Sequence, residues 1–229
     1  MILSLHLKVD SSLLQEFPGL RVHLIRIVEV NITNSSSAKV QMLESLISEV
    51  TRSILQKYNL EKLKDIPIFR TYRDFFWLVG IDPTKTRPAA EALTRRILSG
   101  KPFPRINILV DAYNLASVVS GVPIAAFDLD KVKGDLLMRR ARVGETFLGI
   151  GMEQAEKLKG VEVVVSDEEK LIAVYPYRDS ASSKVTENTI NILLMVCGVP
   201  KVEENDLEQA KAVTVNYVTR FCGGTPTYG

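Results

Sequence analysis

The spacing of hydrophobic and polar residues predicts strands at the start of the chain, followed by a long helix. Strands are predicted at 3–9, where apolar and polar residues alternate, and at 20–30, which is rich in β-branched residues. Residues 34–37, Asn-Ser-Ser-Ser, are typical of a helix N-cap. The apolar residues from Val40 to Tyr58 then recur at helical spacing, which predicts an amphipathic helix of about five turns.

Helical signals dominate the middle of the chain. A helix is predicted at 67–80, and a shorter one between Pro88 and Gly100. Residues 101–104 form a rigid connector with two prolines, and the apolar segment 107–119 is predicted to be helical towards its end. These helices and the strands before them predict an α+β fold.

The last third of the chain combines short strands with helices. Strands are predicted at 161–165 and 171–175, a helix at 186–195, and a last helix at 207–221 that ends at two glycines. No internal repeat or long linker divides the chain. We therefore expect N-terminal strands and a long helix at 1–65 packed on a main domain at 66–222, with a flexible tail at 223–229.

Composition indicates an ordinary globular protein, because 46% of the 229 residues are hydrophobic and 24% are charged. The net charge is only +2, so a role with nucleic acid requires a local basic patch. No signal-peptide core or membrane-length apolar run is present, and we expect a cytoplasmic protein. Cys197 and Cys222 lie in apolar segments read as helical and are expected to be buried free thiols.

One segment concentrates positive charge. Between Arg70 and Arg105, eight basic residues face three acidic ones, and a further cluster lies at 139–142. A phosphate-binding surface would use such residues, although Glu91 and Arg95 are four apart and could simply pair on a solvated helix face. The candidate RNA-binding residues are Arg87, Arg95, Arg96, Lys101 and Arg105.

Familiar catalytic and cofactor motifs are absent from the sequence. There is no P-loop, dinucleotide glycine fingerprint, HExxH motif or nucleophile elbow, and His6 and His23 lie in predicted strands. Asp128 and Asp130 could hold a metal, but a turn or cap is the better account of this spacing. We therefore expect no metal and no cofactor, and no catalytic residue is assigned.

Three polar residues interrupt an otherwise apolar segment. Asn107, Asp111 and Asn114 would share one face of a helix. Buried polar groups must be hydrogen-bonded, so these side chains either tie loops together or line a pocket for a small polar ligand. The structural role is slightly favoured, because Asp and Asn often cap neighbouring backbone.

The order of several motifs resembles the B3/B4 domain of the phenylalanyl-tRNA synthetase beta subunit, and more closely free-standing proteins built on that domain. The stretches 106–114 and 123–134 carry most of this resemblance, which extends over roughly residues 70–200. Three shorter stretches also contribute to the resemblance: Arg87-Pro88, Gly144-Glu145-Thr146-Phe147 and Arg178-Asp179-Ser180. It implies a three-layer fold in which a β-sandwich-like core is flanked by helices.

The resemblance also implies a pocket. In the synthetase this domain hydrolyses tyrosine wrongly attached to the tRNA for phenylalanine, but this chain has Tyr113, Ala125 and Met195 where the bacterial motif has Thr, His and Glu. A bacterial-type tyrosine site is therefore not expected, since selection of a hydroxyl needs a buried polar partner, although Tyr113 could supply a different hydroxyl. The candidate pocket residues are Asn107, Asp111, Tyr113, Asn114, Ala125, Asp128, Arg139, Glu145 and Met195.

Three functions remain open. An RNA-binding module, most simply for tRNA, ranks first, because the resemblance and the basic segment agree. A trans-acting hydrolase of mischarged aminoacyl-tRNA ranks second, and a small-molecule binding protein on the same fold ranks third. A complete aminoacyl-tRNA synthetase is not expected, because nothing in the sequence supplies its catalytic domain.

Overall fold

The structure is a computed structural model that describes residues 5–33 and 36–227. The helices are α1 Ser11–Glu16, α2 Ser37–Lys57, α3 Pro67–Leu78, α4 Ala89–Leu98, α5 Ile108–Ser120 and α6 Glu204–Cys222. The strands are β1 Leu7–Val9, β2 Val22–Val28, β3 Ile124–Asp128, β4 Leu136–Arg140, β5 Thr146–Phe147, β6 Glu156–Lys157, β7 Val163–Ser166, β8 Leu171–Tyr175, β9 Arg178–Asp179, β10 Ile192–Cys197 and β11 Thr225–Thr227.

Two main sheets organise the fold. A five-stranded sheet has the order β1-β4-β7-β8-β9, in which β1 and β4 are parallel and the other neighbours are antiparallel. A four-stranded antiparallel sheet has the order β11-β2-β10-β3, and β5 and β6 form a small separate pair. Strands from distant parts of the chain thus meet in each sheet, and the predicted α+β class is confirmed.

The hydrophobic core joins both main sheets and the helices into one cluster of buried residues. Every residue of β10 is buried, because this strand lies between β2 and β3 in the four-stranded sheet. Helices α5 and α6 pack against each other and against strands of that sheet. The N-terminal strand β2 is therefore an internal strand of the four-stranded sheet rather than an addition to its edge.

Most predicted helices are confirmed, with small shifts at their ends. Helix α2 begins after Ser36, whose side chain accepts a hydrogen bond from the Lys39 backbone amide; Asn34 and Ser35 lie outside the described residues. Helix α5 covers nearly the whole apolar segment, not only its end. Among the described residues, no helix combines the length and the apolar character needed to cross a bilayer.

The helix predicted at 186–195 is wrong. Residues 192–197 form strand β10, in which Leu194 lies opposite Ile25 on one side and Ala126 on the other. A short apolar run buried on both faces has no periodicity that separates a strand from a helix. Cys197 is consequently in a strand and Cys222 in a helix, and both are buried free thiols as expected.

The tail predicted to be mobile from Thr225 is ordered over three residues. Thr225–Thr227 pair with β2 as an edge strand, with Pro226 opposite Ile27. Proline lacks a backbone donor and is tolerated at such an edge. Gly223 and Gly224, both with positive φ, redirect the chain from the end of α6 into this strand.

Candidate functional site

Four of the predicted pocket residues line one cavity of about 180 Å³. Helix α5 contributes Tyr113 and Asn114, while β3 and β10 contribute Ala125 and Met195. Ala125 and Met195 are direct partners in the antiparallel pairing of β3 with β10, so both side chains point to the same face of the sheet. The β8–β9 hairpin forms the opposite wall.

The hairpin supplies polar groups that sequence reasoning did not assign to a pocket. Asp179, at the end of β9, lines the cavity. Burial raises the pKa of its carboxyl to about 7, although a hydrogen bond from the Ala126 backbone amide acts in the opposite direction. Asp179 lies in the Arg178-Asp179-Ser180 stretch that contributes to the family resemblance, and nothing in the local sequence pattern indicates that this stretch faces α5.

Two further titratable groups at the cavity, a phenol and a thiol, remain neutral. Burial raises the pKa of the Tyr113 hydroxyl and of the Cys197 thiol, so neither adds charge near neutral pH. The guanidinium of Arg178 donates to the Ile150 carbonyl at 2.7 Å and to the Tyr177 hydroxyl at 2.8 Å. The cavity therefore combines largely apolar walls with one carboxyl group and one arginine that is already hydrogen-bonded elsewhere.

Asn107 and Asp111 lie at a different cavity, near the N-terminus of α5, with a volume of about 390 Å³. The Asn107 side chain caps the helix by accepting from the Val110 amide at 2.9 Å. Asp111, 2% exposed, accepts from the Ile106 amide at 2.8 Å and from Arg105 Nε at 2.7 Å. Seven residues of helix, about 10 Å, separate Asn107 from Asn114, so the predicted shared face borders two cavities.

The remaining candidates lie outside both cavities and hold loops in place. Asp128 accepts from Thr189 Oγ1 at 2.8 Å and lies 2.9 Å from Lys131 Nζ. Arg139 forms two hydrogen bonds with Glu145, at 2.7 and 3.0 Å, and this contact lowers the pKa of the Glu145 carboxyl. The structure thus does not bring all nine candidate residues to one site.

The predicted RNA-binding residues divide into two groups. Arg95 and Arg105 take part in ion pairs, Arg95 with Glu91 at 3.6 Å and Arg105 with Asp111 at 2.7 Å. Arg87, Arg96 and Lys101 are exposed, and none of them has a carboxylate within 4.0 Å among the described residues.

Helix α4 lies between the exposed basic residues Arg87, Arg96 and Lys101 and the cavity around Asp179: Arg96 is on the helix, Arg87 precedes it and Lys101 follows it. Its exposed positions Ala89, Ala92 and Arg96 follow helical spacing and therefore lie on one face. Ala89 lines the cavity, and Arg87 lies two residues before it. Arg96 is two turns further along, about 10 Å from Ala89 along the helix axis.

A separate cluster has metal-ligating groups. His23 of β2 lies 2.8 Å from Glu204 and 3.2 Å from Glu208, both on α6. One atom from each of the three residues lies within 4.8 Å of the other two. Arg21 forms an ion pair with the Glu204 carboxylate at 2.6 Å, which already supplies a positive charge at this position.

Comparison with known proteins agrees with this architecture. The curated relatives include the phenylalanine–tRNA ligase beta subunits of Aquifex aeolicus, 37% identical over 89 residues, and of Neisseria meningitidis serogroup A, 37% identical over 114 residues. The alignments cover 39% and 50% of this chain and only 11% and 14% of those proteins. The similarity is thus confined to a small part of a much longer subunit.

A solved structure shares the fold over most of the chain. It is an N-terminal fragment of the phenylalanyl-tRNA synthetase beta subunit from Pyrococcus horikoshii, with a TM-score of 0.52 and 15% sequence identity. The match covers 97% of this chain and 50% of that fragment. The family model described as "B3/4 domain" matches residues 71–223, and the chain therefore belongs to the B3/4 domain family.

Proposed function

We propose that this protein binds tRNA through the exposed cations around α4 and receives the aminoacylated 3′ end in the cavity beside Asp179. The observation that carries this proposal is that the exposed face of α4 runs from the cavity to an unpaired arginine. This face begins at the cavity wall with Ala89 and continues to Arg96, which has no carboxylate partner among the described residues. A nucleic-acid strand lying along this face would thus place its end at the cavity.

The charge distribution favours phosphate as the partner of this surface. Arg87, Arg96 and Lys101 are free to meet phosphates, whereas Arg95 and Arg105 hold the fold together through their carboxylate partners. Phosphate contacts by Lys and Arg provide most of the sequence-independent affinity for nucleic acid. The relatives, which are phenylalanine–tRNA ligase beta subunits, support the same class of partner.

Replacing Arg87, Arg96 and Lys101 together with alanine should weaken tRNA binding about 10²-fold at 0.1 M salt. The loss should be similar for different tRNAs, since phosphate contacts carry no sequence information. The logarithm of affinity should also fall less steeply with the logarithm of salt concentration, by about two to three in slope. A fluorescence binding titration at several salt concentrations measures both quantities.

The matched control replaces three exposed lysines on other elements, Lys157, Lys159 and Lys201, with alanine. This variant has the same change in net charge and should bind tRNA with nearly the affinity of the unmodified protein. Equal losses in the two triple variants would show that only the overall charge matters. Such a result would contradict a binding surface at α4.

Hydrolysis of the aminoacyl ester is the second candidate function. Asp179 favours it, because a carboxyl group with a pKa of about 7 can exchange a proton near neutral pH, and it lies in the cavity. Loss of one aminoacyl-tRNA above its spontaneous rate, in a panel of correctly and wrongly charged species, would support the enzyme. No loss across the panel would leave a binding protein.

Small-molecule binding without RNA is the third candidate. A surface on which every arginine of α4 meets a carboxylate would favour it. Arg95 meets Glu91, but Arg96 donates to the backbone carbonyl of Pro102 at 2.6 Å and keeps its charge uncompensated among the described residues. RNA binding therefore remains the better supported function.

A further inference from the structure

The imidazole of His23 lies between two carboxylates of α6, away from the cavity that Met195 lines. Within β2, His23 is next to Leu24, which pairs with Met195, and successive side chains of a strand point to opposite faces of the sheet. Glu204 and Glu208 are four residues apart and therefore lie on one face of α6. None of the three cluster residues lines the cavity, so the cluster is a separate place in the fold.

The two nitrogens of this imidazole have different surroundings. Nε2 lies 2.8 Å from Glu204 Oε1 and forms a hydrogen bond with that carboxylate. Nδ1 is buried and has no hydrogen-bond partner among the described residues, although Glu208 Oε1 is only 3.2 Å away. In the neutral tautomer that donates from Nε2, the Nδ1 lone pair faces a carboxylate oxygen. Because two acceptors at this distance repel each other, a cation between them stabilises the arrangement.

The distance between Nδ1 and the Glu208 oxygen suits two ligands of one metal ion. Zinc is bound by imidazole nitrogen and carboxylate oxygen at about 2.0–2.2 Å. Two ligand atoms that are 3.2 Å apart, and each about 2.1 Å from the ion, subtend an angle of about 100° at it. This angle is close to the tetrahedral value, so the two side chains can hold such an ion without a large movement.

Two cations lie beside the cluster, and neither occupies the space between Nδ1 and Glu208. Arg21 forms its ion pair with the other oxygen of Glu204, Oε2, at 2.6 Å. Lys211 Nζ approaches both oxygens of Glu208, at 3.3 and 3.4 Å. These contacts are longer than the 2.7–2.9 Å or so of a strong charge-assisted hydrogen bond, and half of the Glu208 side chain is exposed. A divalent ion can therefore displace the Lys211 ammonium group.

We propose that His23 Nδ1 and Glu208 bind a divalent transition-metal ion such as zinc, with water as the remaining ligands. Imidazole and carboxylate together favour this class of ion. Glu204 is a positioning residue, because it accepts from Nε2 and so directs the Nδ1 lone pair to the ion; metal-binding histidines commonly have such an outer carboxylate. The ion links the beginning of β2 to the first turns of α6 and stabilises the folded state.

The test is an NMR titration with zinc chloride near neutral pH, using protein whose histidine side chains are labelled with ¹⁵N. The chain has only two histidines, so the signals of His23 are assigned with the variant His6→Gln. His23→Gln and Glu208→Gln remove the proposed ligands. The matched controls are His6→Gln and Glu203→Gln, since both residues are exposed and lie outside the cluster. Thermal denaturation with and without zinc is measured for the same proteins.

Zinc should shift the Nδ1 resonance of His23. It should also raise the Tm by about 5–10 °C when its free concentration is about 100 times the dissociation constant. His23→Gln and Glu208→Gln should each weaken binding about tenfold or more, and both controls should bind like the unmodified protein. Glu204→Gln should weaken binding about tenfold while the shift stays at Nδ1. Lys211→Gln should tighten binding, because the competing ammonium group is removed.

Three results would each overturn the inference. They are the absence of saturable binding up to about 1 mM zinc, unchanged affinity in His23→Gln, and affinity in Lys211→Gln that is no higher than in the unmodified protein. A zinc-dependent shift confined to His6 would overturn it as well. The titration contains no tRNA and involves no residue of the α4 surface, so its outcome does not depend on the proposed function.

Discussion

Replacing Asp179 with asparagine should raise the free energy of unfolding at pH 8 by up to about 4 kcal/mol. In the folded protein, burial raises the pKa of Asp179 from 3.8 to about 7. A raised pKa means that the folded state retains its proton while the unfolded state has lost it. The associated stability is thus fully present below about pH 4 and is lost as the pH rises towards 7.

The measurement is chemical denaturation of both proteins between pH 4 and pH 8. The unmodified protein should lose about 1.4 kcal/mol per pH unit between about pH 4 and pH 7 relative to Asp179→Asn, and little more between pH 7 and pH 8. The control is Asp82→Asn, because hydrogen bonds from Thr84 lower the pKa of Asp82. This substitution should lower stability at neutral pH, and the difference should disappear as the solution is made acidic. Parallel pH profiles for Asp179→Asn and the unmodified protein would contradict the enclosed environment of Asp179.

Replacing Glu91 with glutamine should destabilise the fold by about 3 kcal/mol. The Glu91 side chain is fully buried, and both its oxygens accept from Arg73 Nη1, at 3.1 and 3.2 Å. Arg95 approaches the same carboxylate at 3.6 Å. Glutamine keeps the size of the side chain but leaves two guanidinium groups without the negative charge between them, so α4 loses its electrostatic link to α3.

Thermal denaturation should show this loss as a decrease in Tm of roughly 6–12 °C. Asp74→Asn is the matched control, because it also removes one carboxylate from an ion pair, with Arg70 at 2.9 Å. Both of these side chains are more than half exposed, and the expected cost is below about 1 kcal/mol. A similar Tm for the two variants would show that burial does not strengthen the contribution of Glu91.

The parts of the fold that could be predicted from the sequence are those with a local signal. Helices α2 and α6 have an apolar face at helical spacing, and their existence follows from that pattern. Strand β10 could not be predicted in this way, because it is buried on both faces and its apolar run has no period. Its identity as a strand comes from pairing with β2 and β3, which lie far away in the sequence.

The candidate site was predicted only in part, for the same reason. Tyr113, Ala125 and Met195 do lie at one cavity, but their grouping came from the family resemblance and not from spacing. Asp179 was not assigned to the site because only the folding of the β8–β9 hairpin brings it close to α5 and β3. Helical spacing places Asn107 and Asn114 on one face of α5. It does not show which cavity each end of that face borders.

The most direct test of the account compares the affinity of the protein for one tRNA with and without leucine attached to its 3′ end. An amide linkage replaces the ester, so that hydrolysis cannot alter the result. The account predicts tighter binding of the aminoacylated form, and loss of this preference in Ala125→Trp, which fills the cavity while leaving the α4 surface intact. Equal affinity of the unmodified protein for both forms, or a preference that persists in Ala125→Trp, would contradict it.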